Sequence, residues 1–158
     1  MRIGVLTISD KGARGERADT SGPAIVEMVA AIGGEAVQRG IVPDESEAIQ
    51  ATLKHWADDM HLDLILTTGG TGLASRDVTP EATLGVIERE APGIVEAVRA
   101  ESLKKTPFAM LSRAVAGIRG STLIVNLPGS EKAVRESLAV ILPVLPHAVD
   151  LLHGKTEH

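Results

Sequence analysis

The sequence predicts an α/β fold: a three-layer, mostly parallel sheet with helices on both faces. Three observations carry this. Short β-branched runs alternate along the chain with segments whose apolar residues recur at helical spacing, the order expected of βαβ crossovers. Leu62 to Thr67 is apolar on both faces, as a central parallel strand requires. Each predicted strand gives way to a short polar or glycine-rich segment, and in open α/β sheets such segments line the ligand crevice.

Taken in order, Ile3 to Ser9 is the first strand. After a glycine-rich polar loop, Thr20-Ser21-Gly22-Pro23 opens a helix with Ile25, Met28, Val29 and Ile32 on one face, and Gly33-Gly34 closes it. Ala36 to Val42 is a second strand. Asp44, with Glu47 three residues on, reads as the start of a capping box for a helix striped by Ile49, Leu53, Trp56 and Met60. The third strand follows and runs into the loop Thr68 to Asp77. Thr79 then caps a helix with Pro80 at its first position, which Ala91-Pro92-Gly93 breaks before another begins. Leu123 to Leu127 is a late strand, and Gly129-Ser130 starts a C-terminal helical region interrupted at Pro143 and Pro146. There is no internal repeat or linker, so residues 1–158 are expected to form one domain.

Composition excludes several classes of function. A net charge of -5 without long runs of one sign argues against a duplex-binding face, and the only aromatic residues, Trp56 and Phe108, give no stacking platform for single strands. No nucleic-acid partner is expected. The absence of cysteine removes disulfides, thiolate metal sites and a thiol nucleophile. His55, His61, His147, His153 and His158 lack ligand spacing, and no serine sits in a G-x-S-x-G elbow. No apolar run approaches the ~20 residues of a membrane span, and the expected location is cytoplasmic.

Four polar segments should converge at the carboxyl edge of the sheet: Ser9-Asp10, Pro43-Asp44, Thr68 to Asp77, and Asn126 to Ser130. Gly69, Gly70 and Gly72 let the backbone approach an anion and permit positive φ, with the hydroxyls of Thr67, Thr68 and Thr71 and a helix N-terminus beside them. The pattern is neither a P-loop nor the dinucleotide fingerprint, since Ser75 stands where the last glycine of the latter belongs. A ligand-free strand-to-helix turn is the competing reading. Asp77 inside such a loop opposes a phosphate unless a divalent cation bridges them, which points to Mg²⁺; its alternative role is a favourable charge before a helix N-terminus. Asp44 is likewise either a helix N-cap or a cleft acid. Arg113 is placed to neutralise phosphate oxygens or to be a solvated loop charge.

"TISD", "TSGP", "VPDE", "LTTGGTG" with "RDVTPEAT", "APGI", "LSRA" and "IVNLPGS" occur in the order and spacing of the molybdopterin adenylyltransferase family, the MogA/MoaB type of molybdenum cofactor biosynthesis protein, which this chain resembles over nearly its whole length. The resemblance implies a homotrimer that transfers AMP from Mg-ATP to the terminal phosphate of molybdopterin and releases pyrophosphate. It implies catalytic and metal-handling roles for Asp44 and Asp77. It places Thr68, Gly69, Gly70, Thr71, Gly72, Ser112, Arg113, Asn126, Pro128 and Gly129 around the substrates, with Ser9, Asp10 and Ser130 expected beside them at the same strand edge. Metal insertion would then fall to a separate protein. The competing class is a non-catalytic molybdopterin- or nucleotide-binding carrier of the MoaB branch.

Overall fold

The computed structural model describes residues 1–156; His158 lies outside them. Six strands form one sheet in the order β2-β1-β3-β6-β5-β4. β1 (Arg2–Ile8), β2 (Glu35–Val42), β3 (Leu64–Thr68) and β6 (Thr122–Leu127) run parallel, and β5 (Ala116–Arg119) and β4 (Arg89–Glu90) extend the edge antiparallel. β3 is buried along its whole length between β1 and β6, as its apolar run on both faces requires. β4 and β5 have no counterpart in the sequence reading.

Strand alternation sends side chains to two cores. Val5, Leu64, Leu66, Leu123 and Val125 face α2 (Ser21–Ala30), α5 (Pro92–Leu103), α6 (Glu131–Ile141) and α7 (Leu145–Leu152). Leu6, Ile65 and Ile124 face α3 (Ser46–Lys54), its π-type continuation His55–Asp59, and α4 (Thr79–Leu84). Ile25, Val29, Ile49, Leu53 and Trp56 are buried as the helical spacing requires. Trp56 packs on the strands where β1 and β2 carry glycine: a Cβ at Gly4 would lie 2.6 Å from its ring, and one at Gly40 3.3 Å.

Helix starts depart from the local signals. Asp44 is not a cap: α3 begins at Ser46 behind Glu45, and the capping box is not formed. Thr79 lies inside α4, and its hydroxyl donates to the Gly69 carbonyl at 2.9 Å instead of capping. Asp19, not Thr20, satisfies the first turn of α2, accepting from the Gly22 N–H at 2.9 Å. α4 ends at Leu84, well before Ala91-Pro92-Gly93, because the chain turns out to pair β4 with β5. Pro143 does interrupt the C-terminal helices, whereas Pro146 sits in the first turn of α7, where its missing N–H costs nothing.

Candidate active site

The chain leaves β1 for β2 on one side and leaves β3 for the far edge of the sheet on the other, so a crevice opens beyond the carboxyl ends of β1 and β3. The glycine turn fills its floor. Gly69 and Gly70 take φ of 103° and 70°, conformations costly for any residue with a Cβ. A Cβ at Gly69 would strike the Ile8 carbonyl, and one at Gly70 would strike the Thr79 hydroxyl and lie 3.1 Å from Asp44 Oδ1. Gly72 does not use positive φ; it is small because Asp77 stands against it, 3.0 Å from where its Cβ would be. Among the described residues the N–H groups of Gly70, Thr71 and Gly72 have no acceptor. Unpaired donors on a curved backbone are what an anion needs.

Neighbouring strand ends are tied to this turn. The Thr68 hydroxyl donates to the Pro128 carbonyl at 2.7 Å, and Gly129 approaches so closely that its Cβ would sit 3.3 Å from the Gly69 Cα. Ser9 and Ser130 cap α1 (Asp10–Ala13) and α6, accepting from the N–H groups of Gly12 and Ala133.

The predicted site residues divide between two adjoining cavities. Ser9, Asp44, Thr68, Gly69, Gly70, Asp77, Gly129 and Ser130 line one of about 350 Å³. Thr71, Gly72, Ser112, Asn126 and Pro128 line the other, of about 290 Å³, whose further walls are largely apolar: Val95, Val98, Phe108 and Leu111. Where a single cleft is expected there are two cavities with the glycine turn in the wall of both: Gly69 and Gly70 line one, Thr71 and Gly72 the other.

Asp10 and Arg113 line neither cavity, and the structure gives both other work. Asp10 and Asp44 exchange bonds: the Asp10 N–H donates to Asp44 Oδ2 at 2.9 Å, and the Asp44 N–H to Asp10 Oδ1 at 3.0 Å. Arg76 closes on Asp10 with Nε and Nη2 at 2.9 and 2.8 Å. Its guanidinium, hydrogen-bonded to Asp10, holds that carboxyl below its ordinary pKa. Arg113, expected at phosphate, instead clamps the loop: Nε donates to the Gly72 carbonyl, Nη2 to the Asp77 carbonyl, and Nη1 to both oxygens of Glu81 at 2.7 and 2.9 Å. A guanidinium so committed holds the turn in shape. Asn126 is also an internal tie, fully buried, donating to the hydroxyls of Thr67 and Thr83 and accepting from the Val115 N–H.

Charge in the first cavity is unbalanced. Asp44 and Asp77 face it together, and burial, with the nearby charges of Asp10 and Asp77, pushes the Asp44 carboxyl above its ordinary pKa. Asp77 Oδ2 accepts from the Ala74 N–H at 3.0 Å, which orients its carboxylate. Among the described residues no three His, Cys, Asp or Glu side chains could hold a metal by themselves. Two residues of the cavity gave no sequence signal. Asp19 ties the Thr7 hydroxyl to α2, and Arg17 lines the same cavity.

Fold and site together define a three-layer α/β protein with a glycine-floored, anion-suited crevice at the carboxyl ends of its parallel strands. Residues 4–147 match the family model described as a probable molybdopterin binding domain, and the chain belongs to that molybdenum cofactor biosynthesis family. It is 44% identical over 156 residues to molybdopterin adenylyltransferase of Helicobacter pylori strain J99, covering 98% of this chain and 89% of that one. It is 50% identical over 151 residues to the molybdenum cofactor synthesis protein cinnamon of Drosophila melanogaster, covering 95% of this chain but spanning only about a quarter of that protein's length. Among solved structures, the molybdopterin biosynthesis enzyme MoaB of Thermus thermophilus superposes with a TM-score of 0.93 at 58% identity, over 98% of this chain and 97% of that one.

Proposed function

We propose that this chain is a molybdopterin adenylyltransferase acting in molybdenum cofactor biosynthesis. In this reaction an oxygen of the terminal phosphate of molybdopterin attacks the α-phosphorus of ATP. The bond between that phosphorus and the α–β bridging oxygen breaks, and pyrophosphate leaves with its electron pair. The observation that carries this reading is the meeting of Asp44, Asp77 and the unpaired N–H groups of the glycine turn where two cavities adjoin. Two phosphate-bearing substrates, one in each cavity, would bring their phosphates together there. A relative named for the same activity spans nearly the same length.

The substrate supplies the nucleophile, so the protein needs none, and positioning with electrostatic stabilisation can carry the chemistry. The N–H groups of Gly70, Thr71 and Gly72 are fixed donors for phosphate oxygens, needing no reorganisation as charge develops. Arg113 and Thr79 hold the turn in that shape from behind. The donor set also fits Mg²⁺, which is commonly held by one or two carboxylates with substrate phosphates completing its shell. Asp44 and Asp77 would hold it, and it would supply neutralisation of triphosphate charge. Burial, with the charges of Asp10 and Asp77 beside it, raises the pKa of Asp44, and a bound cation would oppose that rise.

We propose further a cytoplasmic homotrimer that hands its product to a separate molybdenum-insertion protein. No helix of the described residues is long and apolar enough to cross a membrane. Leu73, Phe108 and Met110 are exposed apolar side chains of the kind that subunit contacts cover. Sedimentation should find a particle about three times the 16.5 kDa chain mass. The test of the activity is incubation with molybdopterin, ATP and Mg²⁺, which should yield adenylylated molybdopterin and pyrophosphate in equal amounts; tight pterin binding without product would leave a carrier.

A further inference from the structure

The first cavity has three carboxylates in its wall, Asp19, Asp44 and Asp77, and one cation, Arg17. Other arginines around it are engaged. Arg76 is bonded to Asp10, Arg14 to Glu16 at 3.0 Å, Arg113 to Glu81 and the loop carbonyls, and Arg39 lies 3.8 Å from Asp19. Arg17 makes no hydrogen bond or ion pair with any described residue, although it shares a cavity with three acids.

The segment that carries it is anchored at its far end. Asp19, two residues on, accepts from the Thr7 hydroxyl at 2.8 Å and from the Gly22 N–H at 2.9 Å, which fixes the loop to the end of β1 and the start of α2. Arg17 therefore stands on a tethered segment, in the wall of the cavity that Gly69 and Gly70 also line. A guanidinium there has what phosphate recognition asks: permanent charge, a planar fork of donors, and no competing partner.

We infer that Arg17 is a phosphate anchor of the substrate site, taking the outer oxygens of a phosphate whose inner side meets the glycine turn. This rests on the adenylyltransferase reading, and it places on Arg17 the cationic role that the sequence offered to Arg113. The phosphate is that of a nucleoside triphosphate chain or of the pterin.

The test is calorimetric titration of the full chain and its Arg17→Ala and Arg17→Lys variants with Mg-ATP, inorganic pyrophosphate and molybdopterin, at two salt concentrations. Arg17→Ala should weaken binding about five- to tenfold, the range between an exposed and a desolvated charge-assisted contact, and flatten its salt dependence. Arg17→Lys should recover part of the loss, and both variants should melt like the wild type. If Mg-ATP and pyrophosphate lose affinity the anchored phosphate belongs to the triphosphate; if molybdopterin alone does, it belongs to the pterin. Unchanged affinity of Arg17→Ala for every ligand the wild type binds overturns the anchor and leaves the activity standing. A wild type that binds none of the three overturns both. Equal losses in Ala and Lys variants with lowered melting temperatures would make Arg17 structural and also overturn the anchor.

Discussion

Gly70→Ala is expected to destabilise the protein by about 2–5 kcal/mol, the sum of a left-handed backbone and a displaced buried hydrogen bond. At φ 70° an alanine costs roughly 1–2 kcal/mol relative to glycine. Its Cβ would also strike the Thr79 hydroxyl, which is fully buried and donates to the Gly69 carbonyl. Pushing that hydroxyl aside leaves a buried carbonyl without its donor, worth about 1–3 kcal/mol more. Gly15 separates the two contributions. It has nearly the same φ, 74°, but a Cβ there meets nothing within 4 Å, so Gly15→Ala should cost only the backbone part, roughly 1–2 kcal/mol. Urea unfolding of the two variants at neutral pH measures the difference. Equal losses would refute the claim that the packing of the turn against Thr79, rather than its backbone conformation alone, holds the cradle.

Asp44→Asn should raise stability at neutral pH. Burial, with its acidic neighbours, raises the folded-state pKa of Asp44, so the folded protein holds that proton more tightly than the unfolded chain. The stability linked to it is present below the ordinary carboxylate range and lost as pH rises through the raised value. The variant's advantage in melting temperature should therefore appear across that window and vanish in acid; a constant difference would remove Asp44 as its source. Asn126→Ala should cost about 3–5 kcal/mol by urea unfolding, because Thr67, Thr83 and the Val115 N–H all lose a buried partner; a loss under about 1 kcal/mol, no more than one ordinary hydrogen bond, would mean the tie is dispensable. Arg113→Lys keeps the charge but not the fork that spans Gly72, Asp77 and Glu81. It should lower stability by about 1–3 kcal/mol and slow turnover, with the rate falling at saturating substrate; a pure loss of affinity would return Arg113 to the role of ligand contact.

Much of the fold was legible because its signals are local. The β-branched runs, the helical stripes and the doubly apolar β3 each report their own burial. β4 and β5 escaped because the former is two residues long and the latter, Ala116–Arg119, includes Gly117, whose bare Cα makes room for the Ile87 side chain. Caps were misread where a tertiary partner displaces the local one. Asp44 looks like an N-cap until Asp10, distant in sequence, offers its N–H, and Thr79 looks like one until the Gly69 carbonyl accepts from its hydroxyl. The glycine turn and the acids Asp44 and Asp77 could be grouped from the sequence because each follows a predicted parallel strand, and such strand ends share one edge of the sheet. That Arg113 is engaged by Glu81, and that Arg17 faces the crevice, depends on loop paths that no periodicity encodes.

The role of Asp77 in adenylyl transfer is tested most directly by single-turnover reaction with ATP labelled at the α-phosphate, comparing wild type with Asp77→Asn at saturating Mg²⁺ and molybdopterin. An asparagine oxygen can still accept from the Ala74 N–H, so the loop is kept while the charge is lost. If the two acids and the glycine turn form the transfer site, label should move to the pterin in the wild type. The variant should then be ~100-fold slower or worse, about 3 kcal/mol of barrier, with pterin affinity and melting temperature nearly unchanged. Near-equal rates, with only a slightly lowered melting temperature, would contradict the account and leave Asp77 as a charge that steadies the start of α4.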